Sequence, residues 1–238
     1  MSRICSNSFF HYTPSLENLL GILQSGFRGY YCCEEFRCSD GRMLHLSIPM
    51  VSFCDIPLSH IPAITYGKYG IGMTSVWGNA KNLTPVCYFP NSTKKPLTRF
   101  IAQLAKEQKD EKCEKCNNLL AFAKPYNKYA NPKGYRLNNY QEREWRKAYN
   151  TVFIKNDEED SAALSQNKPP KQHPTMLLTF SNADITFILV PNDSERLALI
   201  SSIQGFKSIG GTSSEISDED KLLLVSKILT IDDIKRNF

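Results

Sequence analysis

The sequence predicts a single α+β domain over residues 1–238. Three observations predict it. Apolar runs of strand length recur along the chain, at residues 8–13, 46–53, 71–76, 85–89, 175–180, 185–190 and 222–229. Helical patterns sit among them, the clearest being Leu16, Leu19, Leu20 and Leu23 at i, i+3, i+4 and i+7. Finally, 238 residues with 41% hydrophobic and 22% charged content are ordinary globular values and suffice for one substantial core.

The first strand, 8–13, runs into a helix that Thr13 is placed to cap, with Pro14 at its first position and Gly26 as its stop. Residues 29–43 are rich in tyrosine, cysteine and charge without a clean period and read as an irregular loop. Residues 58–66 read as a helical turn interrupted by Pro62. Residues 94–124 form the main helical candidate. Leu97, Phe100, Ile101 and Leu104 make an apolar stripe, and the nearly continuous charge of 106–115 reads as a solvated hairpin or helix tip. The acidic, then Pro-, Lys- and Gln-rich segment 156–174 reads as a mobile surface loop. A short helix opens at Asp193-Ser194, and residues 210–220 are polar and read as flexible. A terminal helix is capped by Thr230.

The net charge of +5 and pI near 8.7 permit an anionic partner such as nucleic acid or NAD, yet fall short of a dedicated DNA-binding footprint. No apolar run approaches the ~20 residues that span a bilayer. The opening M-S-R-I-C-S lacks an apolar signal core, so a cytoplasmic protein is expected. The eight cysteines lack the regular spacing of a secreted disulfide scaffold and are expected reduced. Only Cys113-x-x-Cys116 has metal or redox spacing. Alone it is half a zinc site, so no bound metal is expected.

Two blocks carry chemistry. Residues 50–78 hold Asp55 between apolar neighbours, then the aromatic-glycine pairs Tyr66-Gly67 and Tyr69-Gly70, then Gly72. A flat ring beside bare backbone suits a planar ligand such as a nicotinamide or a base; the plainer account is a turn feeding an ordinary strand. In the second block a strand would place Glu142, Glu144 and Arg146 on one face. Two carboxylates so close repel unless a cation or ligand lies between them, and Arg146 is the natural compensating charge. An edge strand with salt bridges is the plainer account here. The basic and aromatic run from Lys124 to Gly134 would suit a nucleic-acid strand or an ordinary lysine-rich loop. His45 and His60 read as surface or packing residues.

The blocks F-C-D-I-P-L-S, Y-G-K-Y-G-I-G-M and W-G, with H-Y-T at 11–13, P-V-C-Y at 85–88 and E-R-E-W-R at 142–146, resemble the bacterial abortive-infection family AbiGi. That family belongs to phage-defence operons and is labelled antitoxin. The H-Y-T, Y-G and E-x-E-W-R arrangement also resembles, more loosely, the ADP-ribosyltransferases of toxin systems. The resemblance implies a split β-sheet core with peripheral helices and an NAD-dependent effector in anti-phage defence. His11, Tyr12, Thr13, Tyr66, Tyr69, Gly70 and Asp55 would then line the cofactor, with His11 also catalytic. Glu144 would stabilise the oxocarbenium charge, with Glu142 as helper or alternative. The family label implies a different role, a non-catalytic antitoxin that restrains a co-encoded toxin. A metal-dependent nuclease built on Asp55 with Glu142 or Glu144 fits less well, because Trp145-Arg146 stand where an E-x-K lysine would be.

Overall fold

The computed structural model of the protein describes residues 6–63, 67–92, 94–111, 113–127, 138–149, 153–154 and 172–237. In chain order these form β1 (Ser8–Thr13), α1 (Leu16–Ser25), β2 (Phe27–Arg37), β3 (Met43–Cys54), a 3-10 turn (Leu58–Ala63), β4 (Tyr69–Thr74) and α2 (Ser75–Ala80). Next come β5 (Thr84–Pro85), β6 (Cys87–Phe89), α3 (Pro96–Glu111), α4 (Glu114–Leu120), β7 (Ala123–Pro125), a second 3-10 turn (Asn139–Glu142), β8 (Glu144–Ala148) and β9 (Phe153–Ile154). The chain closes with β10 (Gln172–Leu178), a third 3-10 turn (Asn182–Asp184), β11 (Ile185–Val190), α5 (Asp193–Gln204), α6 (Asp218–Ser226), β12 (Ile228–Thr230) and α7 (Ile231–Asn237). The class is α+β.

The chain divides into two compact units, each assembled from separate stretches. The first comprises Met1–Arg28, Ser52–Leu83 and Leu177–Phe238; the second comprises Gly29–Val51 and Thr84–Met176.

In the first unit β1 pairs antiparallel with β4 from Ser8↔Thr74 to Thr13↔Tyr69. β4 pairs antiparallel with β11, and β11 pairs parallel with β12. The alternation of β1 sorts its rings. Phe10 and Tyr12 lie in register with Gly72 and Gly70. A Cβ on Gly72 would come within 2.7 Å of the Phe10 ring, and one on Gly70 within 3.1 Å of the Tyr12 ring. The glycines are therefore seats for the neighbouring strand's aromatics. Phe27, Phe53, Trp77 and Phe180 build an aromatic cluster with ring centroids 5.1–5.6 Å apart. The Trp77 indole N–H within it is satisfied by the Thr179 carbonyl at 3.0 Å.

Helix α1 depends on a turn far away in sequence. Its N-cap is Ser15, whose side chain accepts the Asn18 N–H, so the helix begins two residues later than a Thr13 cap would set it. At its other end Gly26, Gly210 and Gly211 donate their N–H groups to the carbonyls of Ile22, Leu23 and Gln24. These are carbonyls that a helix end leaves without internal partners. Gly210 has φ 62°, and a Cβ there would fall 2.0 Å from the Phe180 carbonyl oxygen. The start of the segment expected to be flexible is thus tightly fitted.

In the second unit β2 and β3 form a long antiparallel hairpin from Tyr30↔Met50 to Arg37↔Met43. β8 and β9 also pair with β3, β5 pairs with β8, and β6 pairs parallel with β7. The core gathers Phe36, Leu44, Leu46, Ile48, Phe89, Leu104, Cys116 and Leu120. Residues 106–111 form the last turns of α3, where Asp110 and Glu111 are exposed. Gln108 is buried and Lys109 Nζ donates to the Met43 carbonyl at 2.9 Å, so the expected solvated tip is confined to the end of the helix.

Several expectations need correction. Residues 29–43 are mostly strand β2; partnership with β3 supplies the hydrogen bonds, so a polar, half-buried sequence suffices. Residues 222–226 belong to α6, because Ser217 and Asp220 form a capping box that starts a helix; only Ile228–Thr230 is strand. β4 stops at Thr74, whose side chain accepts the Trp77 N–H and opens α2, where a strand to residue 76 was expected. Of the expected loop 156–174, only 172–174 are described, and they begin β10. The Thr230 cap is present, accepting the Asp233 N–H at 2.9 Å.

Gly21 lies in α1 with nothing within 4 Å of an added Cβ, whereas Gly210 has no room and a positive φ. Gly21→Ala should raise unfolding stability by about 0.5–1 kcal/mol. Gly210→Ala should lower it by more than about 1 kcal/mol. Urea denaturation of the two variants checks both signs, and equal effects would contradict the cap.

Candidate functional site

The second block of the sequence builds a buried charge cluster in the second unit. Asn138 caps the turn Asn139–Glu142 by accepting the Tyr140 N–H, and Arg143 then takes a left-handed φ of 44°. This reversal means Glu142 is not in a strand with Glu144, as expected, but enters from the preceding turn. β8 starts at Glu144, whose N–H donates to the Tyr88 hydroxyl at 2.9 Å.

Arg146, two residues on, is fully buried, with 0% side-chain exposure. Its Nε donates to Glu144 Oε1 at 2.7 Å, its Nη2 to Glu144 Oε2 at 2.9 Å, and its Nη1 to the Ala121 carbonyl at 2.9 Å. Nη2 also donates to Glu34. Lys124 Nζ donates to Glu144 Oε2 at 2.8 Å and to Glu142. Three carboxylates thus surround two cations. Burial works against ionisation of Glu144, but Arg146 and Lys124 outweigh it and hold the carboxyl down at about 2. Burial likewise opposes the charge on Lys124 and Arg146, and the carboxylates reverse that, raising both. Burial pushes the Tyr88 hydroxyl up to about 12 and the Cys32 thiol up to about 11.

Glu34 was not among the expected site residues. It lies in a stretch that runs in doublets, Tyr30-Tyr31, Cys32-Cys33 and Glu34-Glu35, so the two faces of a strand there differ only at Phe36 and Arg37. No alternation singles out Glu34; only the pairing of β2 with β3 does.

The other expected residues fall in the first unit. His11 Nδ1 lies 2.8 Å from the Ser52 carbonyl, which only accepts, so Nδ1 carries the proton. The ring packs against Phe27 and Phe53, with centroids at 5.3 and 5.6 Å. Burial lowers its pKa against the opposing pull of Ser52, so the imidazole is neutral at pH 7. Tyr12 lies over Gly70, and Thr13 is buried opposite Tyr69. A Cβ on Gly67 would meet the Thr13 carbonyl oxygen at 2.4 Å. The Tyr69 hydroxyl is raised by burial and by its hydrogen bond to Glu195. Asp55 is buried, and its backbone carbonyl accepts the Ser6 N–H. Tyr66 lies outside the described residues. Pairing of β1 with β4 therefore brings His11, Tyr12, Thr13, Tyr69 and Gly70 onto adjacent strands. The bare backbone at Gly70 and Gly72 is covered by the chain's own rings.

Of the basic-aromatic run from Lys124, residues 124–127 are described. Tyr126 stacks on Tyr140 at 5.3 Å, and Tyr88 meets Tyr140 edge-on at 5.4 Å. Among the described residues, no group of three or more His, Cys, Asp or Glu is placed to hold a metal ion. No helix among them is long and apolar enough to cross a membrane.

Residues 27–191 match the family model described as "Putative abortive phage resistance protein AbiGi, antitoxin". A relative from Lactococcus lactis subsp. cremoris, described as "Abortive phage resistance protein AbiGi", is 25% identical over 228 residues, covering 80% of this chain and 89% of that protein. No solved structure matches, so an ADP-ribosyltransferase likeness has no structural relative behind it. The matched residues include the whole charge cluster and leave out His11, Tyr12 and Thr13.

The cluster sets an acid limit on folding. Glu144 is lowered from 4.5 to about 2, so its stabilisation is complete above pH 4.5 and lost as pH falls toward 2. His11, lowered by burial, also stabilises above its ordinary value of 6.5 and loses that contribution below it. Glu144→Gln should cost about 3 kcal/mol at pH 7 and flatten the stability profile between pH 4.5 and 2. Urea denaturation across that range, on wild type and variant, makes the comparison.

Proposed function

This chain belongs to the AbiGi family of abortive phage resistance proteins, and on that basis we propose that it is the non-catalytic antitoxin of a defence pair, binding and restraining a co-encoded toxin. The closed charge cluster carries this reading. A glutamate that stabilises an oxocarbenium ion needs an oxygen facing the substrate. Both oxygens of Glu144 are committed to Arg146 and Lys124, as strong ion-paired hydrogen bonds. Its chemistry is that of a structural anchor. Large apolar side chains are meanwhile left uncovered on two contacting helices of the first unit. Leu197 on α5 is 68% exposed, and Leu222 and Leu223 on α6 are 65% and 49% exposed. Such surface suits a protein partner. The protein should co-purify with the toxin encoded beside it and relieve that toxin's growth arrest. Leu197→Glu with Leu222→Glu should weaken the complex while leaving the fold intact by circular dichroism. Toxicity that persists beside abundant wild-type protein would remove the antitoxin role.

A second reading keeps the protein as an NAD-dependent ADP-ribosyltransferase, with His11, Tyr12, Thr13, Tyr69 and Gly70 on the nucleotide and Glu144 as the catalytic carboxylate. It is favoured by the β1–β4 register, which sets the first-strand H-Y-T beside Tyr69-Gly70. It requires Glu144 to leave Arg146. Wild type should then bind and consume NAD, and Glu144→Gln should still bind NAD while turning over ~10²–10³-fold more slowly. Absence of NAD binding by calorimetry, with and without the partner, eliminates it. A metal-dependent nuclease finds less support, because the cations among Glu34, Glu142 and Glu144 are side chains of the chain itself.

A further inference from the structure

We propose that Cys113 and Cys116 form a thiol–disulfide exchange site that closes into an internal disulfide by reducing a small-molecule disulfide such as oxidised glutathione. Cys113 is the N-cap of α4. Its Sγ accepts the Cys116 N–H at 3.4 Å and its carbonyl accepts the same N–H at 3.1 Å. This turn folds the two residues together. Neither cysteine is in a disulfide.

The two sulfurs sit in different surroundings. Cys113 is half-buried and reachable, while Cys116 is 2% exposed within the core of the second unit. The Cys116 Sγ–H donates to Glu107 Oε2 on α3 at 3.7 Å. Glu107 is itself steadied by Gln103 Nε2, which donates to Oε1 at 3.1 Å. An accessible thiol, a shielded thiol and a carboxylate on the shielded one divide the work of exchange.

As thiolate, Cys113 attacks one sulfur of the glutathione disulfide. The S–S bond breaks, glutathione leaves as thiolate, and Cys113 carries the mixed disulfide. Cys116 then passes its proton to Glu107 and attacks the Cys113 sulfur. The second glutathione leaves as thiolate and takes up a proton. Two protein thiols are oxidised to one disulfide, and one glutathione disulfide is reduced to two thiols. Glu107 serves only the second step, as general base.

The test uses the reduced full-length chain in glutathione buffers of rising oxidised fraction, followed by alkylation and peptide mapping by mass spectrometry. A Cys113–Cys116 disulfide, reversible by dithiothreitol, is expected at ratios that leave the exposed Cys87 unmodified. Cys116→Ser should trap Cys113 as the glutathione mixed disulfide. Glu107→Gln should slow conversion of the mixed to the internal disulfide roughly tenfold or more, with the first attack unchanged. Equal reactivity of Cys113 and Cys87, or no internal disulfide in wild type that circular dichroism shows to be folded, overturns the proposal. Closure of Glu107→Gln at the wild-type rate overturns the role of Glu107.

Discussion

The second unit is organised by one constraint, the burial of the Arg146 guanidinium. An arginine taken wholly out of water costs several kcal/mol unless its charge is matched and its N–H groups are all used. Here the matching groups come both from the same strand and from far along the chain. Glu144 lies two residues before it on β8, Glu34 comes from β2, and the Ala121 carbonyl comes from the end of α4. Lys124, on β7 three residues after Ala121, then balances the surplus of carboxylate. Satisfying one side chain thus fixes β2, β7, β8 and the C-terminus of α4 with respect to one another. Loss of a single partner leaves a buried charge exposed to its full desolvation cost, so the members are interdependent rather than additive.

The first unit is held by a different principle. Its β1–β4 pair places large rings opposite glycines, Tyr12 against Gly70 and Phe10 against Gly72. A ring laid over bare backbone buries apolar area that two facing side chains would compete for. The same economy of space operates where the Gly210-Gly211 turn closes α1: the backbone N–H groups reach helix carbonyls that any Cβ would hold off. Glycine here provides close approach, which explains the density of glycines in 67–78 without a ligand.

The same groups weigh on function. A carboxylate held at about 2 by two cations is ionised at every physiological pH and offers little free acceptor capacity. Its neighbours hold both of its oxygens in ion-paired hydrogen bonds. The H-Y-T strand lies outside the residues matched to the family, while the cluster lies within them. A His11 that is neutral, with Nδ1 committed to Ser52, has a packing role already accounted for.

The sequence by itself determined the local elements whose signals are local. The Leu16–Leu23 stripe, the Ile185–Val190 strand and the Thr230 cap are where the residues put them, because periodicity and capping act within one turn or one strand. It also determined that Glu142 and Glu144 need a cation, since like charges so near cannot stand alone. What only the tertiary structure decided was which partners answer. Glu34 and Lys124 are distant in sequence from Arg146, and β2 reads as a loop until β3 supplies its hydrogen bonds. The left-handed Arg143 moved Glu142 off the strand while Lys124 kept it in the cluster. Pattern reveals what a segment does with its own neighbours; burial of a charge is settled by groups that only folding brings into reach.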